Sequence, residues 1–421
     1  VEEKPLSRRY SRIAEALCLA VACSFIVGQA VASTPITLSD AWGQALQTNP
    51  SLMAGDRNIG IAEGERRQAG VIPNPELSWE VEDTRSATKT TTVQISQPIE
   101  LGGKRGARIE MAERSLDSAA IGQEQLRNEL RAEVVGAFQG ALLAKMRQEL
   151  AEQSQRLSER GVAVVDARVK AGKASALEAS RARLQYEEVR LEAARARDQY
   201  INAMNQLLAL IGGASASGEP SLSGDVTDMP AIPSEVALLS RLDKVPQMRL
   251  ARVEIDRQEA GIAVEKSRRI PDLTVSLGSQ YSSEDRERVN LVGLSMPLPL
   301  FDRNQGNVLA ASRRADQARD LRNAAELRLR SEVQQAYQQW RTAQGAISGF
   351  EGGLLASADT ALESTTRGFQ MGKFGFIDVL DAQRTLIDVR SRYLQALGEA
   401  LDAWVRLERI YGDLSAQADN Y

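Results

Sequence analysis

The sequence predicts a mainly α-helical protein with a small β part, built as a duplicated helix, strand-hairpin and long-helical-hairpin repeat. Three observations point there. The stretch FQMGKFGFIDVLDAQRTLIDVRSRYL (Phe369 to Leu394) has a counterpart two hundred residues earlier, DARVKAGKASALEASRARLQYEEVRL (Asp166 to Leu191). A repeat of that length overrides the usual domain count from chain length. Apolar residues switch twice from helical spacing to strict alternation and back. Only 5% of the 421 residues are aromatic while 26% are charged, the composition of long helices rather than of a thick globular core.

The opening residues read as a targeting segment, 1–32. Lys4, Arg8, Arg9 and Arg12 form a basic region, Ala16 to Val27 an apolar one, and Ala30-Val31-Ala32 a small-residue cleavage site. The apolar run is too short for a spanning helix of about 20 residues. Both cysteines, Cys18 and Cys23, lie inside it, so a chain cut after Ala32 has none; Cys23 as an acylated cleavage site is the alternative. Removing the segment takes away four of 52 basic and three of 56 acidic residues, moving the net charge from −4 to −5. An acidic chain disfavours nucleic acid as a partner.

The first repeat is expected over 33–213. Leu38 to Val71 is helical in pattern, with Ser39 as N-cap and Pro50 opening a second segment, and Pro73-Asn74-Pro75 ends it. Leu77, Trp79 and Val81 then alternate with Glu76, Ser78, Glu80 and Glu82, and Val93, Ile95 and Ile99 with Thr92, Gln94 and Ser96, giving strands at about 76–83 and 91–99. Pro98 belongs at a strand end or edge. Long helices follow at 104–170 and 173–211, the first with Leu126, Leu130, Val134, Phe138, Leu142, Met146 and Leu150 every fourth residue. That row precesses around a 3.6-residue helix, so the helix should meet neighbours on more than one side. Leu177, Leu184 and Leu191 give the second helix a heptad row.

A Gly, Ser, Pro and Asp-rich connector spans 214–233. The second repeat is expected over 234–413, with strands at about 272–281 and 289–297, long helices at 303–370 and 373–411, and a tail at 414–421. Its returning helix has Leu380, Ile387, Leu394 and Leu401 at heptad spacing. Gly172 and Gly372 sit where each hairpin must turn, a position that favours a residue tolerant of the left-handed conformation.

Four amphipathic strands in a secreted chain without a spanning helix suggest a membrane barrel, since only helices and closed barrels satisfy the backbone in lipid. Four strands cannot close, because the smallest barrels have eight. Several chains must then share one barrel, and the polar long helices extend it into water.

Three segments carry a specific resemblance: IDVLDAQRTL (Ile377 to Leu386), ISQPIELGGKRGARI (Ile95 to Ile109) and MPLPLFDRNQG (Met296 to Gly306). With them the chain resembles the outer membrane efflux protein (TolC-like outer membrane factor) family over nearly all of 33–413. The last two, with PNPELSWEVE (Pro73 to Glu82), resemble its CzcC-like heavy-metal branch. The resemblance implies a homotrimeric α-helical tunnel with a shared 12-strand transmembrane β-barrel in outer-membrane lipid. It implies a passive exit duct for cobalt, zinc or cadmium cations, joined through a periplasmic adaptor to an inner-membrane RND transporter.

It also implies roles for residues at the tips. Asp378 and Asp381 match the family's pore-lining aspartates, so threefold symmetry would stack two carboxylate rings in a narrow throat. The first repeat has Glu178 at the position of Asp378 and Arg181 at that of Asp381. Gly172, Lys173, Gly372, Lys373 and Phe374 form the tips that meet the adaptor. The lysines stand where members often have an uncharged residue, and Phe374 where TolC has an arginine able to latch.

No enzyme is expected. The chain has no histidine, and without its first segment no cysteine, which removes the usual triads, thiol nucleophiles and transition-metal ligand sets. Gly102-Gly103-Lys104-Arg105 lacks the phosphate-loop spacing. No cofactor is implied. A drug-efflux or type I protein-secretion channel would share the architecture, and a soluble periplasmic coiled-coil scaffold or adaptor is the reading of another class.

Overall fold

The computed structural model describes residues 35–213, 221–227 and 231–414. The expected targeting segment 1–32 with Cys18 and Cys23, part of the connector and most of the C-terminal tail lie outside these residues. The chain divides into two compact units. In the small one, Ile36 and Leu222 form a parallel bridge, with the Ile36 N–H donating to the Ser221 carbonyl at 2.8 Å.

The large unit contains nine α-helices and one sheet among the described residues. α1 (Leu38–Thr48) and α2 (Pro50–Ala69) are separated where the Asn49 side chain accepts from the N–H groups of Ser51 and Leu52, with Pro50 at the first helical position. Ser39, expected as a cap, therefore lies inside the first turn of α1. β1 (Glu76–Glu82) and β2 (Thr90–Ile99) follow, then α3 (Lys104–Lys170) and α4 (Ala176–Leu210). The 67 residues of α3 make a rod of about 100 Å at 1.5 Å per residue.

The second half has α5 (Glu235–Ser240), a short 3₁₀ turn at Leu242–Lys244, α6 (Pro246–Ser267), β3 (Leu273–Ser282) and β4 (Glu287–Ser295). α7 (Gln305–Gly349), α8 (Leu355–Gln370) and α9 (Phe376–Tyr411) complete it. The helix expected to run unbroken over 303–370 is interrupted. A π-helical segment, Phe350–Leu354, separates α7 from α8, and Gly353 there has φ 143°, a value open to glycine. The counterpart stretch of the first repeat, Leu150 to Ser154, has no glycine pair and stays inside α3.

The four strands form one antiparallel sheet in the order β1-β2-β3-β4. Leu77 opposes Ile95, Ile95 opposes Leu277, and Leu277 opposes Val292, so one apolar row crosses the whole sheet. Trp79, Val93, Val275 and Leu294 share that face by two-residue alternation. The reverse face holds Ser96, Gln94, Thr92, Ser276 and Gln280, interrupted at Pro98, Val289 and Leu291. β1 and β4 are both edge strands.

The main helical core gathers Val135 of α3, Met248 of α6, Val333 and Ala336 of α7, and Trp404 and Leu407 of α9. The fourth-residue row of α3 is buried at Leu130, Val134, Phe138 and Leu142 and half-buried at its ends. α3 packs along α2, α4, α6 and α9, which explains the precessing row. On α4 the buried seam is alanine, from Ala179 to Ala196, while Leu177, Leu184 and Leu191 of the heptad row are exposed. No helix of the described residues is long and apolar enough to cross a membrane.

Candidate functional site

The two long hairpins turn in nearly the same way. Gly172 and Gly372 adopt φ 67° and 73°. The Gly172 N–H donates to the Val169 carbonyl and that of Lys173 to Arg168; those of Gly372 and Lys373 donate to Phe369 and Gly368. These closures satisfy carbonyls left open at the ends of α3 and α8. No atom lies within 4 Å of a Cβ added at either glycine, so left-handed geometry alone selects them.

The return helices start differently. At Ser175 the hydroxyl accepts from the Glu178 N–H, and the Glu178 carboxylate accepts from the Ser175 N–H at 3.3 Å. That reciprocal pair is a capping box. In the second repeat Gly375 has no side chain to return the bond, and only the Asp378 carboxylate accepts from the Gly375 N–H, at 2.8 Å. Asp378 and Glu178 are thus both third residues of their helices, where a negative charge also meets the positive end of the macrodipole. Each helix therefore starts three residues after its expected position, at 176 and 376 rather than 173 and 373.

The tips are joined by a compact cluster. Val165 of α3 and Ala179 and Ala182 of α4 pack with Phe369, Phe376 and Val379 of the second hairpin. The Phe369 and Phe376 rings are 5.8 Å apart, and the Arg168 guanidinium lies 4.5 Å over the Phe369 ring. Phe374 is half-exposed, and its ring fills the space beside Gly368, where an added Cβ would meet it at 2.1 Å. Lys173, Lys373 and Gly372 are exposed.

Asp381 is exposed and does not stand in a purely acidic setting. It lines a cavity of about 310 Å³ with Arg181, Leu184, Gln185, Ile377, Leu380 and Arg384. The Arg384 Nε donates to Gln185 Oε1 at 2.9 Å, tying the two return helices together near the tip. Pattern reasoning misses this bond, because Gln185 and Arg384 occupy different positions in the two repeats. Asp378 and Asp381 share α9, but Glu178 lies on the other return helix, so a single chain does not gather the three carboxylates into one cluster. Among the described residues no group of three or more His, Cys, Asp or Glu could hold a metal ion.

At the other end, register defines a second polar surface. Glu76, Glu80 and Glu82 of β1 and Glu287 of β4 lie on the face opposite the apolar row. No Lys or Arg occurs on that face within the strands. The alternation of β1 exposes this signal in the sequence, whereas Glu287 falls in what reads as loop.

The outer membrane efflux protein profile matches residues 41–213 and 239–413, one match per repeat. The chain belongs to the outer membrane efflux protein family. It is 39% identical over 381 residues to the cobalt-zinc-cadmium resistance protein CzcC of Cupriavidus metallidurans, covering 90% of this chain and 91% of that one. It is 31% identical to the nickel-cobalt-cadmium resistance protein NccC of Alcaligenes xylosoxydans xylosoxydans, over 69% of this chain and 68% of that one. Among solved structures, CusC aligns with a TM-score of 0.73 at 20% identity, covering 89% of this chain and 92% of that chain, a likeness of fold. Membership makes the protein an outer-membrane channel of a tripartite efflux system, with TolC-like helical tunnel and barrel architecture.

Proposed function

We propose that this protein is the outer-membrane exit duct for divalent heavy-metal cations of the cobalt, zinc and cadmium type. Three copies form the channel, an inner-membrane RND transporter supplies the cation, and a periplasmic adaptor joins the two. The observation that carries the reading is the 39% identity to CzcC over nine-tenths of both chains. The geometry supports cation passage: the polar strand face has four glutamates and no strand cation. Lined up inside a barrel, such a face focuses a negative field and raises the local concentration of cations.

Two features support assembly from copies. β1 and β4 leave their outer edges unpaired, which a closed barrel would remove. Leu177, Leu184 and Leu191 form a heptad row that stays exposed among the described residues, the pattern of a helix awaiting another helix. In the trimer Asp378 and Asp381 line the throat, with Glu178 on the neighbouring return helices. Gly172, Lys173, Gly372, Lys373 and Phe374 present the tips to the adaptor. The duct selects by charge and passes metal chosen elsewhere.

Growth of a deletion strain and of its complemented strain across zinc, cobalt, cadmium and a drug panel tests the proposal. Sensitivity confined to the divalent metals supports it. Drug sensitivity, or loss of a secreted protein, with metal tolerance intact would leave the channel standing and remove the metal assignment.

A further inference from the structure

The apolar face of the sheet continues past its last paired residue. β4 ends at Ser295, yet the sequence keeps apolar residues at every second position beyond it, at Met296, Leu298 and Leu300, before the chain turns around Pro299. Leu298 is 76% exposed and Leu300 66%, and the adjoining Phe301 is 91% exposed. Pro297 and Pro299 remove two backbone donors, and the Leu300 N–H turns back to donate to the Leu298 carbonyl at 2.9 Å, so the segment is a poor strand for another chain to pair with. What it offers is side chains, continuous with a surface that in an outer-membrane protein meets lipid.

Beside this segment lies surplus positive charge. The Arg269 Nε donates to the Arg303 carbonyl at 3.3 Å, placing these two residues together at the base of the sheet. Arg105 belongs to the same end: Gly102, three residues before it, lies so close to Ile270 that an added Cβ would stand 2.8 Å from it. Arg105 donates to the Gly70 carbonyl at 2.7 Å. Among the described residues, none of these three arginines is paired with a carboxylate. Their neighbours are: Lys104 pairs with Asp272, Arg108 with Glu100, and Arg268 with Glu265. Of the nearby acids, Glu265 is held by Arg268 and Asn304, while Asp302 accepts the Asn304 N–H at 2.9 Å and makes no ion pair with any of the three arginines.

An exposed apolar segment flanked by unmatched guanidinium groups is the chemistry of a membrane interface. We propose that Leu298, Leu300 and Phe301 enter the acyl layer at the periplasmic rim of the barrel while Arg105, Arg269 and Arg303 bind the phosphates of anionic phospholipid. Guanidinium groups near exposed apolar side chains match the phosphate and the acyl chain of one lipid. A second copy is the weaker occupant of the segment itself, since Pro297 and Pro299 withhold the backbone donors that strand pairing needs.

The test uses the full-length channel in mixed micelles, titrated with phosphatidylglycerol or phosphatidylcholine and followed by thermal melting. The expected result is a rise in Tm with phosphatidylglycerol alone. Each arginine near an anionic surface contributes about fivefold in affinity, so Arg105→Ala/Arg269→Ala/Arg303→Ala should weaken the response about a hundredfold. The matching lysine variants should retain most of it. A second measurement needs none of these variants: Phe301→Cys in a Cys18→Ser/Cys23→Ser background, labelled with bimane and placed in nanodiscs containing brominated lipid. Quenching at 301 is expected. Equal responses to the two lipids, or an unquenched probe, would overturn the proposal.

Discussion

Glu408 shows how much one residue can depend on its surroundings. It is fully buried on α9, and its Oε1 accepts from the Arg131 Nε at 2.8 Å. Arg131 also pairs with Asp413 at 2.7 Å and lies 5.7 Å over the Trp42 ring. Burial pushes the Glu408 carboxyl above the ordinary glutamate value, and the Arg131 hydrogen bond pulls it back only in part. Between the unfolded and the folded value the folded protein holds a proton that the unfolded chain has released. Stability is then greatest below the unfolded value and falls as pH rises through the folded one. Thermal melts from pH 4 to 8 should show this decline, and Glu408→Gln should flatten it. An unchanged slope in the variant would mean that another group is responsible. Asp378 poses a different question, because it both caps a helix and is proposed to line the throat. Asp378→Asn keeps an oxygen for the Gly375 N–H while removing the charge, so melting should shift by less than about 1 kcal/mol equivalent. Bilayer recordings of Asp378→Asn/Asp381→Asn should show lower cation selectivity and weaker block by multivalent cations. Recordings identical to those of the unaltered channel would reduce both aspartates to their helix-end role.

Among the elements, the break between α7 and α8 separates the two halves most clearly. Gly353 holds φ 143° with no atom within 4 Å of an added Cβ, so Gly353→Ala meets backbone strain and no collision. A cost of about 1–3 kcal/mol is expected for forcing that conformation on an L residue. Gly352 lies within the same π segment without a positive φ, and Gly352→Ala should stabilise by up to about 1 kcal/mol. Opposite signs in denaturant unfolding are the expected outcome; two equal effects would show that the break does not depend on Gly353. Tyr393 braces the segment, its ring 6.1 Å from Phe350 and its hydroxyl donating to Glu351 at 2.9 Å. The glycine pair was the visible sign of this break, but helical periodicity resumes after it and hides it. Elsewhere the pattern was readable because a local rule acted alone. Alternation placed the strands, and Gly172 and Gly372 placed the turns. The heptad leucines of α4 misled in one respect, since the seam within the chain is built from alanines between them. Periodicity reports that a face is covered, not which molecule covers it. The bond from Arg384 to Gln185 was hidden for a related reason, as it joins helices whose relative rotation no single helix encodes.

On the scale of the whole molecule, charge is placed at the two ends of a duct about as long as α3. The tips contribute Asp378 and Asp381, and Asp381 shares its cavity with Arg181 and Arg384, which offset its charge. The sheet contributes Glu76, Glu80, Glu82 and Glu287 on a face without Lys or Arg, four carboxylates per chain and therefore twelve in the proposed trimer. In the proposed trimer the larger fixed charge thus sits at the outer-membrane end. If it governs ion preference, Glu76→Gln/Glu80→Gln/Glu82→Gln/Glu287→Gln should lower the cation-to-anion permeability ratio severalfold. Because such fields are screened over roughly 10 Å at 0.1 M salt, the loss should be greatest in dilute electrolyte and shrink towards 1 M. The aspartate variants at the tip should instead alter block by divalent cations, where ions meet a constriction rather than a wide mouth. Reversal potentials at 0.05, 0.2 and 1 M potassium chloride separate the two. A ratio unchanged at every salt concentration would remove the barrel glutamates from ion selection and leave any preference to the tips.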